Sequence, residues 1–261
     1  MSDISKLLIA EVSGGVLNVI INRPEKRNAL SRAVLVELGR TFRDFATAGE
    51  LKVAVLRGAG DRCFAAGGDL HDLATVRTPE QTRTMADEAH DALDAIRDFP
   101  FPVVAALNGD ALGGGAELAV ACDFRVAANH AQIGFIQGRL NISTAWGGGG
   151  DLMRLIGVSP ALRLLAASER LDGQAALGAG LVDAVAAAQE PLQAAVDRFI
   201  APFLQQAPQV LRAFKALAWA MRRGLPASEV RAVEAHHLVE TWAHPDHWQA
   251  ADKILGAGRT S

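Results

Sequence analysis

Residues 101–117, Phe-Pro-Val-Val-Ala-Ala-Leu-Asn-Gly-Asp-Ala-Leu-Gly-Gly-Gly-Ala-Glu, constrain the fold more than any other stretch of the chain. Val103 to Leu107 form an unbroken apolar run, which suits a strand buried on both faces. Three glycines follow, and they open an apolar helix whose first turn carries one carboxylate, Glu117. Strand, glycine turn and helix in that order point to an α/β fold. The turn contains no nucleophile, metal-ligand set or phosphate-binding lysine. What it presents is bare backbone N–H at the positive end of a helix, where developing negative charge is stabilised.

The rest of the chain supports the same class. Residues 7–12 and 16–21 read as strands joined at Ser13-Gly14-Gly15, a hairpin signal. Ser31 caps a helix with apolar residues at Val34, Leu35, Leu38 and Phe42. A strand is expected at 51–56, a helix from Thr78-Pro79, and strands at 124–127 and 181–185, with helix starts near Ser159-Pro160 and Asp172. Composition shifts near Glu190, which divides the chain into an α/β core, 1–190, and a helical region, 191–261, that covers the core or packs on another subunit.

With 26 Lys and Arg against 29 Asp and Glu the net charge is −3, so no basic field exists for nucleic acid or an anionic membrane. No apolar run approaches the ~20 residues of a membrane span, and residues 1–6 lack secretory-leader features. A cytoplasmic protein is expected, with Cys63 and Cys122 as buried thiols in a reducing compartment. His236-His237 and His244-x-x-His247 lack a matching Cys or Asp set, so no metal is expected. The triple glycine lacks the third glycine of a dinucleotide fingerprint, and residues 147–150 lack the Lys-Ser/Thr of a phosphate loop. No Gly-x-Ser-x-Gly elbow is present for acyl-enzyme chemistry.

Four segments carry a resemblance: Asn22-Arg23-Pro24-Glu25-Lys26-Arg27-Asn28-Ala29-Leu30, Cys63-Phe64-Ala65-Ala66-Gly67-Gly68-Asp69-Leu70, the triple-glycine segment running on to Arg125, and residues 133–148. Over residues 7–185 the chain resembles the enoyl-CoA hydratase/isomerase (crotonase) family. The resemblance implies a crotonase-like ββα spiral core with a helical C-terminal region, assembled as a homotrimer or dimer of trimers. It also implies an acyl-CoA thioester substrate, with no cofactor beyond the coenzyme A of that substrate. By motif, the N–H groups of Ala66 and Gly114 would hold the thioester oxygen as it becomes an enolate. Lys26, Arg27 and Ala29 would meet coenzyme A, and Ala65, Gly67, Asp69, Leu70, Gly113 and Trp146 would line the substrate. Asp69 and Asp123 also read as orienting their turns.

Glu117 matches the first of the family's two catalytic glutamates, and Gln137 stands at the second. Gln137 neither gives nor takes a proton near neutral pH. The resulting expectation is reversible hydration of a 2-enoyl-CoA with one glutamate. An alternative is decarboxylation of a malonyl-type acyl-CoA, with Gln137 and Arg139 holding the departing carboxylate. Some decarboxylases of the superfamily show a Ser-Trp-Gly-Gly stretch similar to residues 144–148. A third reading is a catalytically silent acyl-CoA-binding scaffold.

Overall fold

The computed structural model describes residues 7–257; residues 1–6, read above for a leader, lie outside that range, as do 258–261. The chain opens with an antiparallel hairpin, β1 (Leu8–Ser13) and β2 (Val16–Ile21), turned at Gly14-Gly15. Helix α1 (Arg32–Phe45) starts at Ser31, whose hydroxyl accepts from Val34 N, and buries Val34, Leu35, Leu38 and Phe42. Next come β3 (Val53–Gly58), β4 (Cys63–Ala65) and α2 (Pro79–Arg97), the last opened by a Thr78/Gln81 capping box.

The same ββα unit then repeats. β5 (Val103–Leu107), β6 (Asp110–Leu112) and α3 (Gly114–Ala121) form the second; β7 (Phe124–Ala127), β8 (Gln132–Gly134) and α4 (Gly148–Ile156) the third. Each unit places its first strand in a six-stranded sheet, β1-β2-β3-β5-β7-β10, and its second in a four-stranded sheet, β4-β6-β8-β9. The remaining elements are α5 (Val158–Ala167), β9 (Arg170–Asp172), α6 (Gly173–Gly178), β10 (Ala184–Val185), α7 (Leu192–Leu204), α8 (Pro208–Arg222), α9 (Ala227–Ala243) and α10 (Pro245–Ala257).

Three expectations change. The strand at 103–107 does not run straight into the glycines: Asn108-Gly109 turns the chain into β6, which belongs to the other sheet. The strand expected over 181–185 is reduced to Ala184–Val185. Helix α5 starts one residue before Ser159, so that serine is not its cap.

Alternate residues of the large sheet face two apolar clusters. Ala54, Leu56, Val103, Ala105 and Leu107 pack beneath α1, α2 and α3, whereas Val53, Val55, Val104 and Ala106 meet Ala195, Val196 and Ile200 of α7. Helix α7 is therefore built into the core. Helix α8 is fastened by a buried ion pair, Lys215 Nζ to Asp123 Oδ2 at 2.6 Å, and the same oxygen accepts from Val103 N. Lys215→Ala leaves Asp123 buried with Arg222 as its remaining cation. We expect a loss of ~3 kcal/mol, at the low end for one partner of a buried pair, read as a fall in the thermal midpoint.

Helix α9 buries no residue, and Phe214, Leu238, Val239 and Trp242 stand exposed on α8 and α9. Among the described residues no helix is long and apolar enough to cross a membrane.

Candidate active site

The site follows from the small sheet. β4, β6 and β8 are parallel neighbours, so their C-terminal ends point the same way and lie side by side, one strand spacing apart (~4.8 Å). Those ends lead into residues 66–69, 113–117 and 135–137, so segments far apart in sequence meet at one edge. The turn after β2 laces onto the first of them. Leu30 N donates to Gly67 O at 2.8 Å, Asp69 N to Leu30 O at 3.0 Å, and Arg23 Nη2 to Asp69 Oδ2 at 2.8 Å.

These bonds decide which N–H groups remain open. Ala66 N–H donates to Arg27 O at 3.1 Å, so Ala66 is not a free donor and its expected role is corrected. A trans peptide sends its C=O and N–H in opposite directions. Because Gly67 O accepts from Leu30, the N–H of Gly68 points away from Leu30, toward the cavity that Gly68 lines. Gly67, at φ 106, makes this change of direction possible. On the second turn Gly113 N–H donates to Gly134 O, while Gly113 O accepts from Ala116 and Glu117 N–H. Gly114 N–H is left at the start of α3, facing out of the helix. The open pair is Gly68 and Gly114.

Glu117 sits one turn into α3, every residue of which is buried. Its Oε2 accepts from Trp146 N at 2.9 Å and Gly148 N at 3.0 Å, and its Oε1 accepts from Gln137 Nε2 at 2.9 Å. Burial pushes the carboxyl above its ordinary value, opposed by these same hydrogen bonds. Gln137 is buried, and its Oε1 has no hydrogen-bond partner among the described residues.

The Trp146 indole, 5% exposed, packs over both glycine turns: a Cβ on Gly114 would fall 2.3 Å from the ring, and one on Gly68 3.6 Å. The enclosed space is about 330 Å³. Leu70, Leu73, Val76, Met85, Leu140 and Ile142 supply apolar walls, and among the described residues Glu117 is the only titratable group lining it.

Of the expected site residues, Gly67, Leu70, Gly113, Gly114, Glu117, Gln137 and Trp146 meet at this cavity, with Ala66 beside them. Others face elsewhere. Ala65 is fully buried, its carbonyl pressed against Gly115; Asp69 is engaged by Arg23; and the Ala29 carbonyl accepts from Arg23 Nη1. Lys26 and Arg27 lie exposed on the turn outside the cavity, Arg27 3.5 Å from Asp110. Arg139 donates to Ser168 O at 3.0 Å and does not line the cavity.

Sequence reading missed the buried amides that hold the frame. Asn28 donates to Ala59 O and Cys63 O; Asn108 donates to Gly60 O and Cys63 O and accepts from Gly58 N. Both lie beside the strand ends, the one signal that marked them. His236, His237 and Glu240 approach one another on α9, away from the cavity, where Glu240 pairs with both histidines.

The family model described as Enoyl-CoA hydratase/isomerase matches residues 11–253. An ethylmalonyl-CoA decarboxylase of Xenopus tropicalis is 30% identical over 208 residues, 79% of this chain and 69% of its own. The mouse enoyl-CoA hydratase domain-containing protein 2, mitochondrial, is 35% identical over 245 residues, 93% of this chain and 80% of its own. The crystal structure of an enoyl-CoA hydratase from Bacillus anthracis superposes with a TM-score of 0.89 at 28% identity, covering 96% of each chain.

Proposed function

The chain belongs to the enoyl-CoA hydratase/isomerase family, and from that membership we propose that it adds water reversibly across the double bond of a 2-enoyl-CoA, using Glu117 as its one acid–base group. The observation that carries this reading is the orphaned Oε1 of Gln137 beside the Glu117 carboxylate. A water needs two acceptors to fix its orientation, and turning the Gln137 amide toward the cavity it lines would set its Oε1 beside Glu117 Oε1 as the second. The amide keeps the acceptor half of a second carboxylate's work and gives up the proton-donor half.

The step then runs as follows. Glu117 takes a proton from the water while the water oxygen bonds to Cβ. The C=C electron pair moves toward the thioester, forming an enolate oxygen held by the N–H groups of Gly68 and Gly114. Glu117, now a carboxylic acid, returns the proton to Cα. One H and one OH have been added, and the enzyme is restored. Two preorganised donors on charge that exists only at and after the transition state are worth several kcal/mol; loss of one such donor costs ~3–4 kcal/mol. No cofactor beyond the coenzyme A of the thioester is required.

Decarboxylation of a malonyl-type thioester is the second reading, favoured by relatives named ethylmalonyl-CoA decarboxylase. Against it, Arg139 is turned to Ser168 and no Lys or Arg lines the cavity among the described residues. Incubation with crotonyl-CoA and ethylmalonyl-CoA separates the two. Loss of enoyl absorbance, lowered ~10–100-fold by Gln137→Ala as a share of the acid–base contribution, supports hydration. CO2 release without hydration overturns it. Thioester binding with no turnover on either substrate identifies a silent scaffold.

The exposed apolar side chains of α8 and α9, and the groove of about 530 Å³ between those helices lined by Phe214, Leu217 and Leu238, support assembly as a trimer or dimer of trimers. Sedimentation equilibrium giving a 27.5 kDa particle would refute that assembly.

A further inference from the structure

We propose that Arg97 is a positioning residue for Glu117, acting through the strap of residues 145–148; the inference rests on Glu117 being the acid–base group. Arg97 ends α2 and is 4% exposed, yet it carries a charge into the core. Its guanidinium divides its donors between two tasks. Nε and Nη2 grip Asp151 Oδ2 at 2.9 and 2.8 Å, and Nη1 reaches Asp94 Oδ1 at 2.7 Å, so the charge is neutralised locally. Nη2 also donates to Trp146 O at 3.0 Å.

That last bond is the one that bears on chemistry. Trp146 is held at both ends of its own backbone: its carbonyl by Arg97 and its N–H by Glu117 Oε2. Asp151 lies in the first turn of α4, which begins at Gly148, the other residue donating to Glu117 Oε2. Arg97 thus clamps the strap between the two donors that fix the carboxylate and again after them.

The glycines of the strap are what bring these groups together. A Cβ on Gly147 would lie 2.8 Å from Arg97 Nη2, and one on Gly148 would lie 2.5 Å from the Glu117 side chain. The strap is a single layer of backbone between a buried cation and a buried carboxylate. It transmits position rather than charge, because Asp94 and Asp151 already neutralise Arg97. Among the described residues no other titratable side chain lines the cavity; the charged groups behind the strap are Arg97, Asp94, Asp151 and Arg154, the last 3.5 Å from Asp151, with Arg222 sharing a small cleft with Asp151 and Arg154.

A structural ion pair and a positioning residue make different predictions. Loosening the strap withdraws two N–H donors from the carboxylate form of Glu117, so its titration must move to higher pH. Arg97→Lys keeps the positive charge, but a single ammonium replaces the planar five-donor fork, so the contacts to Asp94, Asp151 and the Trp146 carbonyl are not all kept in register. The Glu117 carboxyl is followed by 13C NMR in protein labelled at glutamate, with Glu117→Gln used to assign the resonance. The kcat/KM profile against pH is recorded on crotonyl-CoA.

In Arg97→Lys the Glu117 midpoint should rise by about one pH unit, which is about tenfold less active base below both midpoints. Asp94→Asn, which touches Arg97 but not the strap, should leave the midpoint in place. If Arg97→Lys does not fold, Gly147→Ala displaces the guanidinium without altering any charge and should move the midpoint in the same direction. A folded Arg97→Lys or Gly147→Ala with an unmoved Glu117 midpoint overturns the proposal. Turnover retained in Glu117→Gln would defeat the one-base reading instead, and the NMR midpoint would still judge Arg97.

Discussion

Glu117→Gln should lower turnover about 10³-fold, within the range that a positioned acid–base group supplies, and at the same time raise stability at pH 8. The two effects have one origin. The carboxylate is buried among apolar residues of α3, and burial pushes its titration above the ordinary value of 4.5 despite three hydrogen bonds. Between 4.5 and that raised value the native state binds more protons than the unfolded chain. Stability therefore falls as pH rises through this window, and above it the penalty is fully present. An uncharged amide escapes the penalty. It also fits, because Gln137 can turn its own amide so that the orphaned Oε1 accepts from the new NH2.

Thermal midpoints of the two proteins across pH 4–8 check this. The variant's advantage should be greatest at the alkaline end and should close below 4.5. A variant less stable than wild type at every pH would mean that the hydrogen-bond geometry outweighs the buried charge.

Gly115→Ala should be the most damaging single methyl in the chain's active region. Its Cβ would lie 2.0 Å from Ala65 O and 2.7 Å from Ala65 C. Both partners are backbone, one at the end of β4 and the other in α3, so no rotamer change gives relief. The strand end and the helix must part, which opens the turn carrying Gly68. Overpacking usually costs ~1–3 kcal/mol; with two backbones in direct collision we expect ~4–5 kcal/mol, at the extreme of single substitutions. Thermal denaturation, or recovery in the insoluble fraction, reads the loss. Gly178→Ala, where a Cβ meets nothing within 4 Å, serves as the matched control. A Gly115→Ala protein as stable as that control would show that the β4–α3 contact is looser than described.

Much of this arrangement was legible from local pattern. The buried strands of the large sheet, the capped helices α1 and α2, and the glycine start of α3 all follow from runs, periodicity and caps within a few residues. The small sheet was not legible, because three-residue strands such as β6 and β8 have no periodicity to detect. The donor on the first turn was misplaced at Ala66 for a related reason. Which N–H of a turn is open depends on where the adjoining carbonyls point. Here Arg27 O and Leu30 N decide that from more than thirty residues away. Arg97 was invisible for the same cause: nothing near it in sequence marks an arginine whose partners are Trp146 and Asp151.

The parallel strand ends of the small sheet separate two jobs onto different segments. The ends of β4 and β6 present Gly68 and Gly114, and Ala65 against Gly115 locks those two ends together. The end of β8 presents Gln137 on a short 3-10 turn whose other residues are exposed. A scaffold wired this way is asymmetric toward change. Alteration at the first two ends disturbs the frame itself, whereas residues 137–143 can be exchanged to present a different polar group to a thioester that remains anchored. Engineering a new reaction into this chain should therefore begin at the third strand end, with the other two left as they stand.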